Sequence, residues 1–76
     1  MKTTGWRLRS KGKIWMWYKK IIIPTGAYYE KRVYVDTANN VRVYNDFYAY
    51  SDKVLHKSFK TKLQAIKFAK EYMRKN

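Results

Sequence analysis

Cysteine is absent from the 76 residues, proline occurs once and glycine three times. Acids are scarce as well, with 5 Asp+Glu against 18 Lys+Arg. Without cysteine, neither a disulfide nor a thiolate metal site can staple a chain of this size, which buries only about 60% of the surface its unfolded form exposes. A small packed core must supply the stability. Uninterrupted apolar runs such as Ile21-Ile22-Ile23-Pro24 are far too short to span a bilayer. The basic amino terminus also lacks the apolar stretch of a signal peptide. These absences predict a soluble, cytoplasmic protein with no membrane partner, folded as one domain over residues 1–76.

Catalytic constellations are equally thin. His56 is the only histidine, and no acid sits beside it in a readable motif. The five acids include no close pair, which disfavours a carboxylate dyad or a two-metal site. Asp46 and Asp52 flank Phe47–Ser51, where a polar loop acid is the default. Zinc-ligand spacing and a phosphate-cradling glycine-rich loop are both missing. No catalytic residue, metal or cofactor is expected, and a minor enzyme built on His56 and Asp52 is the remotest reading.

Positive charge is what the chain has in abundance. The formal net charge is +13, divided into +7 over residues 1–23, −1 over 24–52 and +7 over 53–76. Self-repulsion on this scale opposes compaction, so a polyanionic partner is the simplest reason for keeping it. A disordered basic tail is excluded by composition, at 46% hydrophobic and 18% aromatic residues.

Local patterns predict an α+β domain. Trp6–Arg9 and Lys13–Ile23 read as a hairpin around Ser10-Lys11-Gly12, with Gly12 at the positive-φ position. Pro24-Thr25-Gly26 forms the next turn. Tyr28–Val35 and Val41–Tyr48 are strands joined by the polar turn Asp36–Asn40. Ala49–Lys53 reads as loop and Val54–Phe59 as a short edge strand. Thr61 and Gln64 fit a capping box ahead of an amphipathic helix. Its apolar side carries Leu63, Ala65, Ile66, Phe68, Ala69, Tyr72 and Met73, and its outer side Lys67, Lys70, Arg74 and Lys75. The expected architecture is an antiparallel sheet of three to four strands with this one helix packed on one face.

Alternation then assigns the faces. Val33, Val35, Val41 and Val43 go inward under Leu63, Ile66, Ala69 and Met73, leaving Arg32, Tyr34, Arg42 and Tyr44 on the free face. Trp6 and Leu8 point inward, Arg7 and Arg9 outward. The Lys13–Ile23 strand is ambiguous. If Ile14 and Met16 join the core, then Trp15, Trp17 and Lys19 join the free face. Trp15 and Trp17 are in either case core or interface, because indoles are seldom left in water.

A face of arginine and aromatic side chains suits nucleic acid, since guanidinium forks match phosphate and rings stack on exposed bases. The expected function is a small non-catalytic nucleic-acid-binding protein. DNA or RNA would be held through Arg7, Arg9, Trp15, Trp17, Lys19, Arg32, Tyr34, Arg42 and Tyr44, with Lys67, Lys70 and Arg74 at the edge. Single strands and a duplex groove both remain open, as do monomer and homodimer. The alternative is a protein inhibitor or adaptor, of the kind viruses and mobile elements encode. It would set the same basic, Trp-containing surface against an acidic or nucleic-acid-binding protein.

The stretch Ser58-Phe59-Lys60-Thr61-Lys62-Leu63-Gln64-Ala65-Ile66-Lys67-Phe68-Ala69 resembles the last strand and helix of AP2-type and phage-integrase amino-terminal modules. That resemblance implies duplex DNA read by the exposed face of a sheet, with contacts on Arg32, Arg42, Trp15, Trp17 or their neighbours.

Overall fold

The computed structural model describes residues 5–76, leaving Lys2 outside the described residues. Five strands and one helix follow in order: β1 Arg7–Ser10, β2 Trp15–Ile22, β3 Tyr28–Val35, β4 Asn40–Asp46, β5 Ser51–Ser58 and α1 Lys62–Lys75. All neighbours are antiparallel, and spatial order equals chain order. The α+β class and the single carboxy-terminal helix match expectation. The strand number does not: there are five, not three to four.

The edge strand expected over Val54–Phe59 is β5, which begins earlier, at Ser51, where a loop was expected. Of its eight residues only Leu55 is even half-buried, so the alternation that marks a strand is missing. A bulge between Val43 and Tyr44 further shifts its register against β4.

Turn chemistry sets the register. In the β2–β3 turn, Gly26 takes φ +90° and its N–H donates to the Ile23 carbonyl at 2.9 Å. A side chain there would be strained. In the β3–β4 turn, Asp36 Oδ1 accepts from the N–H groups of Ala38 and Asn40 at 2.9 and 3.0 Å. That Asx turn lets Asn39 adopt φ 63°.

The core lies between the sheet and α1. Val33, Val35, Val41 and Val43 are fully buried beneath Ala65, Ala69 and Met73. These three helix residues lie at four-residue spacing, and the two alanines let the helix backbone approach the valines closely. Leu63 was expected in this line but is 78% exposed. At ~100° per residue it points about 200° away from Ala65, toward solvent. Thr61 caps the helix, its Oγ1 accepting from Gln64 N–H at 3.1 Å.

β2 presents the face opposite to the one expected. Trp15 opposes Val35 and Trp17 opposes Val33, so Trp15, Trp17 and Lys19 share the helix side. Trp17 is only 6% exposed and, with Trp6, fills the β2 side of the core that the small helix residues leave open. Trp15 packs against the same cluster at 5.6 Å from the Trp17 ring. Ile14 and Met16 do not join the core, and Ile14 is 47% exposed. Among the described residues every fully buried side chain is apolar, and no helix is long and apolar enough to cross a membrane.

Candidate nucleic-acid interface

The register lays the free face out in rows. One row crosses all five strands as Arg7, Tyr18, Arg32, Tyr44 and Lys53, alternating cation and ring. The next contains Met16, Tyr34, Arg42 and His56, and a third contains Lys20, Glu30, Asp46 and Ser51. Arg7, Arg32, Tyr34, Arg42 and Tyr44 therefore do share one surface, as the alternation predicts. Arg9 joins them, its guanidinium carbon 3.8 Å from the centre of the Tyr18 ring. Tyr34 and Tyr44 meet edge to face at 5.8 Å. Both rings border an open hollow of about 350 Å³, together with Arg32, Arg42, Asp36 and Asp46.

Acids crowd this face, which alters its electrostatics. Arg32 Nη2 lies 2.9 Å from Glu30 Oε1 and 2.8 Å from Asp46 Oδ2, and Arg32 Nε also donates to Glu30 at 3.1 Å. Arg9 reaches the other Glu30 oxygen at 3.4 Å, and Arg42 pairs with Asp36 at 3.2 Å. Three of the chain's five acids thus hold the three arginines best placed for phosphate. Burial alone would raise the Asp36 pKa. It is nevertheless lowered, by the backbone N–H groups of Asn40 and Ala38, the Asn40 side chain and the Arg42 charge. Arg42 Nε is buried and has no hydrogen-bond partner, although the side chain as a whole is partly exposed.

The helix side differs. Lys67 and Lys70 have no acidic partner among the described residues, while Arg74 and Lys75 both approach Glu71. Lys57 projects from β5 over the Phe59 and Phe68 rings, at 5.8 and 5.0 Å. Lys67 borders an open hollow of about 340 Å³ with Gln64 and the same two rings. Lys19 Nζ donates to the Asn76 backbone oxygen at 3.0 Å and lies 6.0 Å from the Trp6 ring centre. Lys31 stands beside Lys19 in the adjoining strand.

The chain matches no protein-family model, no curated protein and no solved structure.

The expected site residues therefore divide between two surfaces. Arg7, Arg9, Arg32, Tyr34, Arg42 and Tyr44 occupy the free face, and Lys19, Lys67, Lys70 and Arg74 the helix side, with Trp15 half-buried and Trp17 in the core between. Sequence reasoning passed over Tyr18, Lys20, Lys31 and Lys57. The signal was available in the turn: reflecting β2 onto β3 about Thr25 places Trp17 opposite Val33 and so sends Tyr18 and Lys20 to the free face.

Proposed function

We propose that this protein is a non-catalytic nucleic-acid-binding domain whose phosphate grip lies on the helix side, around Lys57, Lys67 and Lys70. The observation that carries this reading is the segregation of acids. Glu30, Asp36 and Asp46 engage the arginines of the free face, whereas the helix side has only Glu71 on α1 and Asp52 at the sheet edge. A phosphate approaching Arg32 meets two carboxylates already in place. One approaching Lys67 or Lys70 meets an unpaired ammonium and displaces only counterions.

The alternative of a protein partner drew on exposed tryptophan as an interface anchor. Trp17 is buried and Trp15 packs against the core, so no specific observation favours that reading.

The test is a binding isotherm with short DNA and RNA over a salt series. Log K should fall with log[salt] by about 0.9 per duplex phosphate contact or about 0.7 per single-strand contact. The pair Lys67→Ala and Lys70→Ala should weaken binding and flatten the slope by roughly two contacts. Absence of binding at low salt, or binding indifferent to salt, overturns the function. Loss confined to Arg7→Ala and Lys20→Ala would move the grip to the sheet face.

A further inference from the structure

Three aromatic rings form a continuous stack at one end of the sheet. Phe47 is the middle ring, with Tyr29 on it at 4.7 Å and 27° and Tyr50 at 4.9 Å and 21°. The stack lies on the helix side just beyond the end of α1. The helix starts near the Asp36 end, where Lys62 Nζ donates to the Asp36 carbonyl at 3.0 Å. It finishes at the row of Lys19, Lys31 and Asn45, where Lys19 Nζ donates to the Asn76 backbone oxygen. Tyr29 is the next residue of β3 on that side, and Phe47 continues the same alternation from Asn45 in the β4–β5 loop.

Packing accounts for only part of the stack. Tyr29 against Phe47 closes the end of the sheet, and a Phe47 N–H to Tyr50 carbonyl bond of 2.8 Å closes the loop. Neither requires a third ring, yet Tyr50 lies on Phe47 while 57% exposed, and Tyr48 beside it is wholly exposed. The open cleft of about 610 Å³ that Tyr28, Tyr29, Phe47 and Tyr48 border is shared with Arg9, Glu30, Arg32 and Asp46, so it belongs to the free face and not to the Tyr50 end of the stack. Exposed rings that continue a stack accept a further planar ring of any base identity. Lys31 lies two residues along β3 from Tyr29, on the same side of the strand.

We infer that the Tyr29–Phe47–Tyr50 stack is a platform for an unpaired nucleobase, so that the partner is single-stranded, or locally unpaired, nucleic acid rather than a regular duplex. This rests on the nucleic-acid reading above and specifies its ligand. A strand running along the lysines of the helix side would pass beyond the helix end and place a base on the outer face of Tyr50. Base pairs inside a duplex offer no such free face. The charge complement is with the phosphates of that strand, and stacking supplies a contact that salt does not screen.

The experiment compares a short mixed-sequence single strand, as DNA and as RNA, with the duplex of the same sequence, carrying 2-aminopurine as a stacking reporter. Wild-type protein should prefer the single strand and quench the reporter. Tyr50→Leu should weaken single-strand binding between about 5-fold and 150-fold, leave duplex binding and the salt slope unchanged, and abolish the quench. Tyr50→Phe keeps the ring and should bind as wild type. Thermal melting of both variants checks that the fold is intact, and Tyr48→Leu offers a wholly exposed second position. Equal binding of duplex and single strand, or a Tyr50→Leu protein that still quenches, overturns the platform and leaves the lysine grip standing. Salt-insensitive binding, or none, overturns the nucleic-acid reading itself.

Discussion

Asp36 shows how one side chain can serve the fold and the electrostatics together. Its carboxylate accepts from two backbone N–H groups of the β3–β4 turn and from the Asn40 side chain while facing Arg42. All four interactions favour the charged form and hold its pKa below the ordinary 3.8. A carboxyl with a lowered folded-state pKa adds stability above its unfolded-state value and loses it as pH falls through the folded-state value. Asp36→Asn keeps an acceptor for the turn but removes the charge. Wild-type protein should therefore be the more stable near pH 7, with the gap closing progressively below about pH 4. Urea unfolding of both proteins across pH 7 to 2 measures this, and a gap that stays constant down to pH 2 would refute it. The residues nearest Asp36 were legible in the sequence because the cluster Asp36–Asn40 can do little besides turn. Trp15 and Trp17 were not legible by alternation, because both sides of β2 are apolar or aromatic and either could face inward. Only pairing with Val33 and Val35 distinguishes them, and pairing is a property of two strands.

At the scale of elements, α1 meets the sheet through small, fully buried side chains. Ala65 and Ala69 are fully buried against four fully buried valines. Ala69→Leu would insert three heavy atoms where none fit, at a cost of about 1–3 kcal/mol for overpacking. Urea unfolding should show a lower midpoint, and an unchanged midpoint would mean the helix can shift outward freely. The helix and the four valines were readable beforehand since both carry strong periodicity, 3.6 in one and 2 in the other. Leu63 misled because it is apolar yet lies in the first helical turn, nearly opposite the buried line. The start of β5, read as loop, was hidden for a different reason. An edge strand with polar residues on both sides has no pattern to display, and its Lys53 and Lys57 are the charges that keep such an edge from pairing with other chains.

Taken whole, the molecule is a slab of 41 × 28 × 19 Å carrying a charge of +13. Its thin dimension is comparable to two Debye lengths at physiological ionic strength, each about 8 Å. Repulsion among the cations therefore reaches through much of the protein, while the partly buried Arg32 network is screened far less. Adding salt to the free protein should raise its melting temperature even as it weakens nucleic-acid binding. Calorimetry from low to about 0.5 M salt tests this, half a molar being enough to shrink the Debye length toward 4 Å. A melting temperature that falls throughout would show that the ion pairs outweigh the repulsion. The two responses have opposite signs and one origin, the excess of unpaired cations.

The agreement between chain order and spatial order bears on how the protein comes to be folded. Each strand lies beside its predecessor, so every hairpin can close as soon as its second strand exists, at little cost in loop entropy. The valines of β3 and β4 are then assembled into one continuous apolar surface before anything covers them. Their cover, α1, is the last element in the chain. During synthesis the sheet passes through an interval with its sticky side open, and the docking of a single helix ends it.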